Sequence, residues 1–154
     1  MPKNESFLQD LLPYLLQRSS YLVTRRFHRT LQLSGVSVSR WRMLAWLSEN
    51  EPYTVNQLAE QLMLRQPSVT ILVDNAVDDG LLEKHSDPAD GRRVRVRLSQ
   101  AGRKLAESLK GQARQAEEDL IRNIGHTQVQ DAKKVLRTLI ESAEVESMNT
   151  AIDV

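Results

Sequence analysis

The chain contains no cysteine among its 154 residues. This absence excludes disulfide bridges, thiolate metal sites, a cysteine nucleophile and a thiol-based redox switch. Long apolar runs are missing too. No stretch approaches the roughly 18 residues that a membrane helix needs, and residues 1–12 lack the basic-then-apolar order of a secretory leader. We therefore expect an unprocessed, cytoplasmic protein without a membrane partner.

Charge of one sign is not in excess. The 21 Lys and Arg residues are balanced by 20 Asp and Glu residues, which leaves a formal net charge of +1. A surface that is basic all over is thus excluded, and any binding of an acidic partner must come from local clusters of basic residues. The length is typical of one domain, and 40% hydrophobic residues can form a core. We expect a single domain over residues 1–154.

The pattern that is present is mainly helical. Apolar residues recur every three or four positions from Leu12 to Leu31, within RWRMLAWLSEN, and in two long segments after residue 99, the second of which Thr127 is expected to cap. TVNQLAEQLML is a short helix whose Thr54 and Gln57 form a capping box, and another helix runs from residue 67 to a stop at Gly80. Two short helices joined by a tight turn predict a helix-turn-helix, although such a pair can also be a plain packing unit.

Beyond Gly80 the period of the pattern changes to that of β-strands. LLEKHS and RVRVRL are the predicted strands, and the loop DPADGR between them carries an Asp-Gly pair typical of hairpins. The second strand alternates, with one face formed by Val94, Val96 and Leu98 and the other by Arg93, Arg95 and Arg97. An arginine face of this kind can also be a solvated strand surface. The elements follow one another in the order helix, short helix, turn, helix, hairpin, helix. This order predicts a winged helix-turn-helix, which is a mainly α fold with a small β-hairpin wing.

This order of elements predicts binding to double-stranded DNA. The major groove admits one helix, and the second helix of the pair presents its N-terminal turns to base edges. Beside it, the tip of the wing can reach an adjacent minor groove through Arg92 or Arg93, whereas Arg95 and Arg97 suit phosphates. The predicted DNA-binding residues are Arg65, Gln66, Ser68, Thr70, Ile71, Asn75, Arg92, Arg93, Arg95 and Arg97.

The stretch from Val38 to Leu105 resembles the MarR family of winged helix-turn-helix transcription regulators. The similarity is carried by VSVSRWRMLAWLSE, TVNQLAEQLMLRQPSVTILVDNAVDDGLLEK and, most specifically, SDPADGRRVRVRLSQAGRKL. It implies an obligate homodimer on a pseudo-palindromic operator near promoters, and a wing that Asp90 braces together with Arg92 or Arg93. We expect a DNA-binding lobe over about residues 37–99, and a dimerisation region of helices over about residues 6–34 and 100–146.

The second helix of the pair departs from this family pattern. Ile71 stands where many relatives carry a basic residue, so the bases read there are left open. Three acids, Asp74, Asp78 and Asp79, would repel phosphate if they faced it, and we expect them at the far end of the helix, away from the groove.

Dimerisation is also expected from the residues alone. The N-terminal helix and the two C-terminal helices carry apolar stripes longer than the central motif can cover, and such stripes mark an interface. The alternative is that both ends fold back onto their own centre. A two-fold dimer would place its recognition helices roughly 34 Å apart, one turn of DNA.

The resemblance further implies a small effector, often aromatic and anionic, bound where the dimerisation region meets the DNA-binding lobe. Arginine supplies a planar donor fork for a carboxylate and tryptophan a stacking face. The candidates are Arg18, Tyr21, Arg25, Arg26, His28, Arg29, Trp41 and Trp46. Trp41 can equally be a core residue, and an arginine-rich helix edge can be a solvated face or a second phosphate contact.

Neither metal binding nor catalysis is predicted. His28, His85 and His126 are isolated, with no partner at ligand spacing, and no nucleophile–base pair or phosphate-binding glycine loop is present. No cofactor is expected. The sequence predicts a homodimeric, ligand-responsive repressor, and the alternative is a winged-helix module that binds a ligand or a protein without reading DNA.

Overall fold

The computed structural model describes residues 7–50, 53–90 and 93–152, with side chains described as far as residue 145. The chain is mainly helical with a small sheet, which confirms the predicted fold class. In chain order the elements are α1 (Phe7–Asp10), α2 (Leu12–Leu33), α3 (Val38–Glu49), β1 (Tyr53–Thr54), α4 (Val55–Leu62), α5 (Gln66–Asp78), β2 (Leu82–Ser86), β3 (Val94–Leu98), α6 (Gln100–Ile124) and α7 (His126–Ile152). The expected cap at Thr127 is wrong, because α7 begins one residue earlier, directly after Gly125.

The sheet has three antiparallel strands in the order β1-β3-β2. The hairpin of β2 and β3 was predicted, and its register pairs Leu82 with Leu98 and Ser86 with Val94. The third strand was missed, because β1 has only two residues and no alternating pattern can be recognised over that length. It pairs Tyr53 with Val96 and so attaches the segment before α4 to the wing.

Local sequence features determine where the two helices of the helix-turn-helix begin and end. Thr54 and Gln57 form the predicted capping box at the start of α4. The turn passes through Met63, whose φ of 55° is left-handed, and Gly80 with φ 72° ends α5 as expected. An L-residue other than glycine is strained at such an angle, so the turn at Met63 depends on the packing of the helices around it.

The hydrophobic core lies where α3, α4, α5, the sheet and the first turns of α6 meet. Its fully buried side chains include Leu44, Leu47, Leu58, Val69, Val73, Val96, Leu98 and Leu109. Val94, predicted on the same face as Val96 and Leu98, is exposed instead, since the end of the hairpin extends beyond this core. Ser99 begins α6 by accepting a hydrogen bond from the Gly102 N–H at 3.0 Å, and a Cβ at Gly102 would overlap the Leu81 carbonyl oxygen.

Two compact units make up the chain, Met1–Arg114 and Gln115–Val154. The first contains the helix-turn-helix, the wing and α2; α2 reaches its core through Leu31, which is fully buried, and through Phe27. In the second unit, an ion pair joins Lys133 on α7 to Glu117 on α6. The lobe boundaries expected from the sequence stay a prediction.

Candidate nucleic-acid interface

The outward face of α5 presents side chains that can read bases. Arg65, which precedes the helix, and Gln66, Ser68, Thr70, Ile71 and Asn75 are all exposed, as predicted. Their neighbours Val69, Val73 and Ala76 are fully buried and fix the rotation of the helix against the core. Ile71 is the apolar member of the exposed set at 62% exposure. The Thr70 hydroxyl donates to the Gln66 carbonyl at 3.0 Å and keeps its lone pairs for an outside donor.

A cavity of about 530 Å³ separates this helix from the wing. One wall belongs to the beginning of α4 and to Gln66 and Thr70 of α5, and the other to Arg93, Val94 and Arg95 of the wing. The exposed tip of the wing is therefore separated from α5 by an open channel lined mainly with polar side chains. A channel of this kind can receive a sugar–phosphate backbone while the helix lies in the groove beside it.

The base of the wing is held by a buried aspartate that sequence analysis missed as a site residue. Asp87 is 5% exposed and accepts hydrogen bonds from the Ala89 N–H at 2.9 Å and from Arg95 Nε at 2.7 Å. The Ala89 hydrogen bond and, next, the Arg95 guanidinium lower the pKa of the Asp87 carboxyl. Arg95, predicted to contact phosphate, is thus bound to an internal carboxylate, and it braces the hairpin.

A second acid meets the next arginine along β3. Glu83 accepts from Arg97 Nη2 at 2.9 Å and from Nε at 3.0 Å, and His85 Nε2 lies 3.3 Å from the same carboxyl. Hydrogen bonding from Arg97 and then from His85 lowers the pKa of Glu83. The signal was present in the sequence: antiparallel pairing puts the alternate residues of β2 on the arginine face of β3.

The tip of the wing carries the most accessible cation of the hairpin within the described residues. Arg93 is 69% exposed in its side chain and makes only a loose ion pair, Nε to Asp90 at 3.5 Å. Its backbone N–H donates to the Asp90 carbonyl at 2.9 Å, so Asp90 contacts Arg93 through the main chain as well as through its carboxylate. Arg92, the other predicted tip residue, lies outside the described residues.

Two of the three acids near the end of α5 have basic partners. Asp74 pairs with Lys84 at 2.5 Å and Asp79 with Arg40 at 2.7 Å. Asp78, like Asp79, lies at the C-terminal end of the helix, opposite to the turn that begins at Gln66. Basic partners therefore neutralise part of the negative charge of these acids, and the acids lie away from the N-terminal end of α5.

The predicted effector residues fall into two separate places. Trp41 and Trp46 on α3 line a groove of about 320 Å³ together with the end of α4. None of the six candidates on α2, namely Arg18, Tyr21, Arg25, Arg26, His28 and Arg29, lines that groove. Arg18 instead donates to the Tyr14 hydroxyl at 2.9 Å.

No group of three or more His, Cys, Asp or Glu side chains in the described part of the chain is placed to hold a metal ion. Within the same residues, none of the helices combines the length and apolarity needed to cross a membrane.

Comparison with known proteins gives one consistent family. The model of the MarR family matches residues 34–93. The HTH-type transcriptional repressor IacR of Pseudomonas putida is 25% identical over 144 residues, which cover 93% of this chain and 86% of the relative. The crystal structure of a MarR family transcriptional regulator from Silicibacter pomeroyi is 36% identical, with a TM-score of 0.81 over 90% of this chain and 98% of that one.

A more distant structure shares the fold. Bordetella bronchiseptica BpsR, whose DNA binding is regulated by 6-hydroxynicotinic acid, is 22% identical. It superposes with a TM-score of 0.77 over 87% of this chain and 95% of its own.

Proposed function

The chain belongs to the MarR family of transcription regulators, and from that premise we propose that it is a homodimeric repressor that binds a pseudo-palindromic promoter operator. A small aromatic anion releases it from this operator. The observation that carries the proposal is the exposed face of α5 beside the channel under the wing. The proposed base contacts are those predicted above on α5, namely Gln66, Ser68, Thr70, Ile71 and Asn75. Arg93, predicted at an adjacent minor groove, is proposed to neutralise the phosphates along the edge of that groove.

The proposed dimer is supported by apolar side chains that remain exposed on helices of both units. On α1 and α2 these include Phe7, Leu8, Leu12, Leu15, Leu22 and Val23, and on α7 they include Val135, Leu136, Leu139 and Ile140. A monomer seldom leaves apolar patches of this extent in water. Sedimentation equilibrium at micromolar concentration tests this step, because a two-fold operator complex requires two copies of the chain.

Release by an effector follows the pattern of BpsR, a protein of the same fold whose DNA binding responds to a small aromatic acid. Thermodynamically, an effector lowers operator affinity only if it binds the DNA-free conformation more tightly than the DNA-bound one. The absence of cysteine leaves no thiol through which oxidation could act instead.

The deciding experiment is fluorescence anisotropy of the full chain on its own upstream intergenic duplex and on a scrambled duplex, at two salt concentrations. We expect a preference of at least ~10³ for the native duplex, the low end for specific regulators. Equal and weak binding to both duplexes would refute the proposal.

In that event the alternative is a winged-helix module that binds a ligand or protein without specific DNA readout. One observation favours it: the wing arginines Arg95 and Arg97 already bind acids of the same hairpin. A loss of DNA affinity on neutralising Arg93, in a protein whose unaltered form binds DNA with a steep salt dependence, would count against it.

A further inference from the structure

The channel between α4, α5 and the wing contains one acid without a counter-charge among the described residues. Two carboxylates line this channel, those of Glu60 and Asp87. Asp87 is buried and bound to Arg95, whereas Glu60, on α4, is exposed and makes no ion pair or side-chain hydrogen bond in the part of the chain that the structure describes. The two arginines of the channel, Arg93 and Arg95, each meet an acid of the hairpin instead. Glu60 therefore brings an unpaired negative charge to a surface that is proposed to bind a polyanion.

The position of Glu60 along α4 places it beside the base-reading end of α5. Asn56 and Glu60 lie four residues apart on one wall of the channel, and Glu60 is the nearer of the two to the turn through Met63 that leads into α5. Gln66, the first residue of α5, lines the same channel, as does Thr70 four residues later. When the N-terminal turns of α5 lie in the major groove, Glu60 is on the side of the bases, and Asn56, about 6 Å further back along α4, is on the side of the backbone.

A carboxylate at this place distinguishes between the chemical groups of DNA. It accepts hydrogen bonds and donates none, so phosphate oxygens and the major-groove oxygens of guanine and thymine repel it. The donors that the major groove offers are the amino groups of cytosine, at N4, and of adenine, at N6. Adenine places its N7 acceptor next to the amino group, whereas cytosine has only a C–H there. Cytosine is therefore the base that fits an unpaired carboxylate best.

We propose that Glu60 is a specificity-determining residue that accepts a hydrogen bond from N4 of a cytosine in each half of the operator. The inference rests on the proposed function, because it needs α5 in the major groove, and it adds a residue of α4 to the base contacts proposed for α5. Where no donor faces Glu60, binding brings an unneutralised carboxylate close to acceptors of the DNA, and affinity falls. Glu60 thus favours one base and also penalises sequences that present an acceptor in its place.

The test is anisotropy titration of the full chain on its operator and on duplexes in which each base pair of the half-site is substituted in turn. The wild type should show one position at which cytosine is bound best, adenine less well, and guanine and thymine worst. Replacing that cytosine should cost about 5- to 100-fold in affinity, the range for one mismatched base pair. A duplex with a 2-pyrimidinone nucleotide at this position, which lacks only the amino group, should also bind more weakly than the cytosine duplex.

Two substitutions of Glu60 distinguish a base contact from a structural role. Glu60→Gln supplies an amide, which pairs with N6 and N7 of adenine, so the preferred base at this position should change from cytosine to adenine. Glu60→Leu removes the acceptor and should bind the four duplexes alike. Because the side chain is exposed, the thermal midpoint should change little in either variant, and circular dichroism verifies the fold.

Two matched controls lie outside the channel. Gln61→Leu makes an apolar substitution at the next residue, which lines the groove with Trp41 and Trp46, and it should keep the preference for cytosine. Asp78→Asn removes one exposed negative charge at the C-terminal end of α5 and should keep this preference as well.

The outcomes separate the role of Glu60 from the DNA-binding proposal. If Glu60→Gln and Glu60→Leu both raise affinity equally on operator and scrambled DNA, the carboxylate faces phosphate and the base contact is refuted. If neither variant alters the base preference at any position, Glu60 does not contact DNA, and the inference is equally refuted. In both cases a wild-type preference of at least ~10³ for the operator leaves the repressor proposal intact. Equal binding of the wild type to operator and scrambled DNA refutes both proposals.

Discussion

The recognition helix and the wing carry their charges in different ways. In the exposed set formed by Arg65, Gln66, Ser68, Thr70, Ile71 and Asn75, the side chains after Arg65 are neutral. Within this set only Thr70 uses its side chain in a hydrogen bond of the protein. On the wing, every arginine that the structure describes meets an acid of the same hairpin. The helix therefore offers donors and acceptors that are available at once, whereas a wing arginine must give up or share a partner before it contacts phosphate.

Because of this difference, α5 and the wing should contribute differently to the specificity and to the affinity of DNA binding. Base contacts on α5 should determine which sequence is bound, and the wing should contribute a sequence-independent and salt-sensitive part that is smaller than its number of arginines suggests. Arg93 is the exception on the wing, because an exposed ion pair at 3.5 Å contributes little and is easily exchanged.

The largest effect is expected from a negative charge on the helix. Ile71→Glu should lower operator affinity by more than about 100-fold, since a carboxylate at this exposed position would face phosphates at short range. Anisotropy titration measures it. Ile71→Ala is the matched control and should cost several-fold at most, as it removes only packing on a thymine methyl. Equal effects of the two substitutions would show that Ile71 does not face DNA.

A smaller but more selective loss is expected at the first residue of α5. Gln66→Ala should weaken binding to the preferred operator by about 5- to 100-fold, the range for one bidentate base contact. Affinity for scrambled DNA should stay unchanged. Titration against operators substituted at single positions should find one base pair at which the variant no longer discriminates. Uniform loss on all duplexes would reassign Gln66 to the backbone.

Most of the fold could be predicted from the sequence because its signals are local. The capping box at Thr54, the stop at Gly80 and the alternation of β3 each depend on residues close together in the chain. The two-residue strand β1 could not be predicted, because it exists only through pairing with β3, about 40 residues away. Its pattern is too short to carry a period.

The exposed residues of the candidate site on α5 could be predicted from the sequence, whereas the contacts of the wing arginines could be predicted only in part. The exposed set on α5 follows from the buried period of Val69, Val73 and Ala76. The pairing of Arg95 with Asp87 required the register of the hairpin, which a strand read by itself does not contain. The groove on α3 depends on where α4 ends in space, so the sequence could not show that Trp41 and Trp46 line it while the candidates on α2 do not.

The wing can be tested through the salt dependence of binding. Arg93→Gln should reduce the slope of log affinity against log salt by about 0.9 for each phosphate that the protein no longer neutralises, or about 1.8 for the two wings of a dimer. Affinity should fall several-fold on operator and scrambled DNA alike. Arg95→Gln is the comparison: it should change the slope less, because Arg95 is bound to buried Asp87, and it should instead lower thermal stability. A larger slope change for Arg95 would reverse these assignments.

The smallest effect concerns the acid at the base of the wing and its dependence on pH. The Asp87 carboxyl has a pKa below the ordinary 3.8, so its stabilisation is complete above that value and is lost as pH falls through the lowered one. Asp87→Asn lacks this contribution at every pH. The thermal midpoint of the variant should therefore lie roughly 2–4 °C below that of the wild type at pH 7, a shift typical of removing one interaction from a chain of this size. This difference in thermal midpoint should narrow once pH falls below 3.8.

Glu83→Gln, at a more exposed acid, should show a smaller difference in thermal midpoint from the wild type in the same melting curves. A gap for Asp87→Asn that is the same at pH 7 and at about pH 2.5 would mean that packing of the side chain, and not its charge on Arg95, holds the wing.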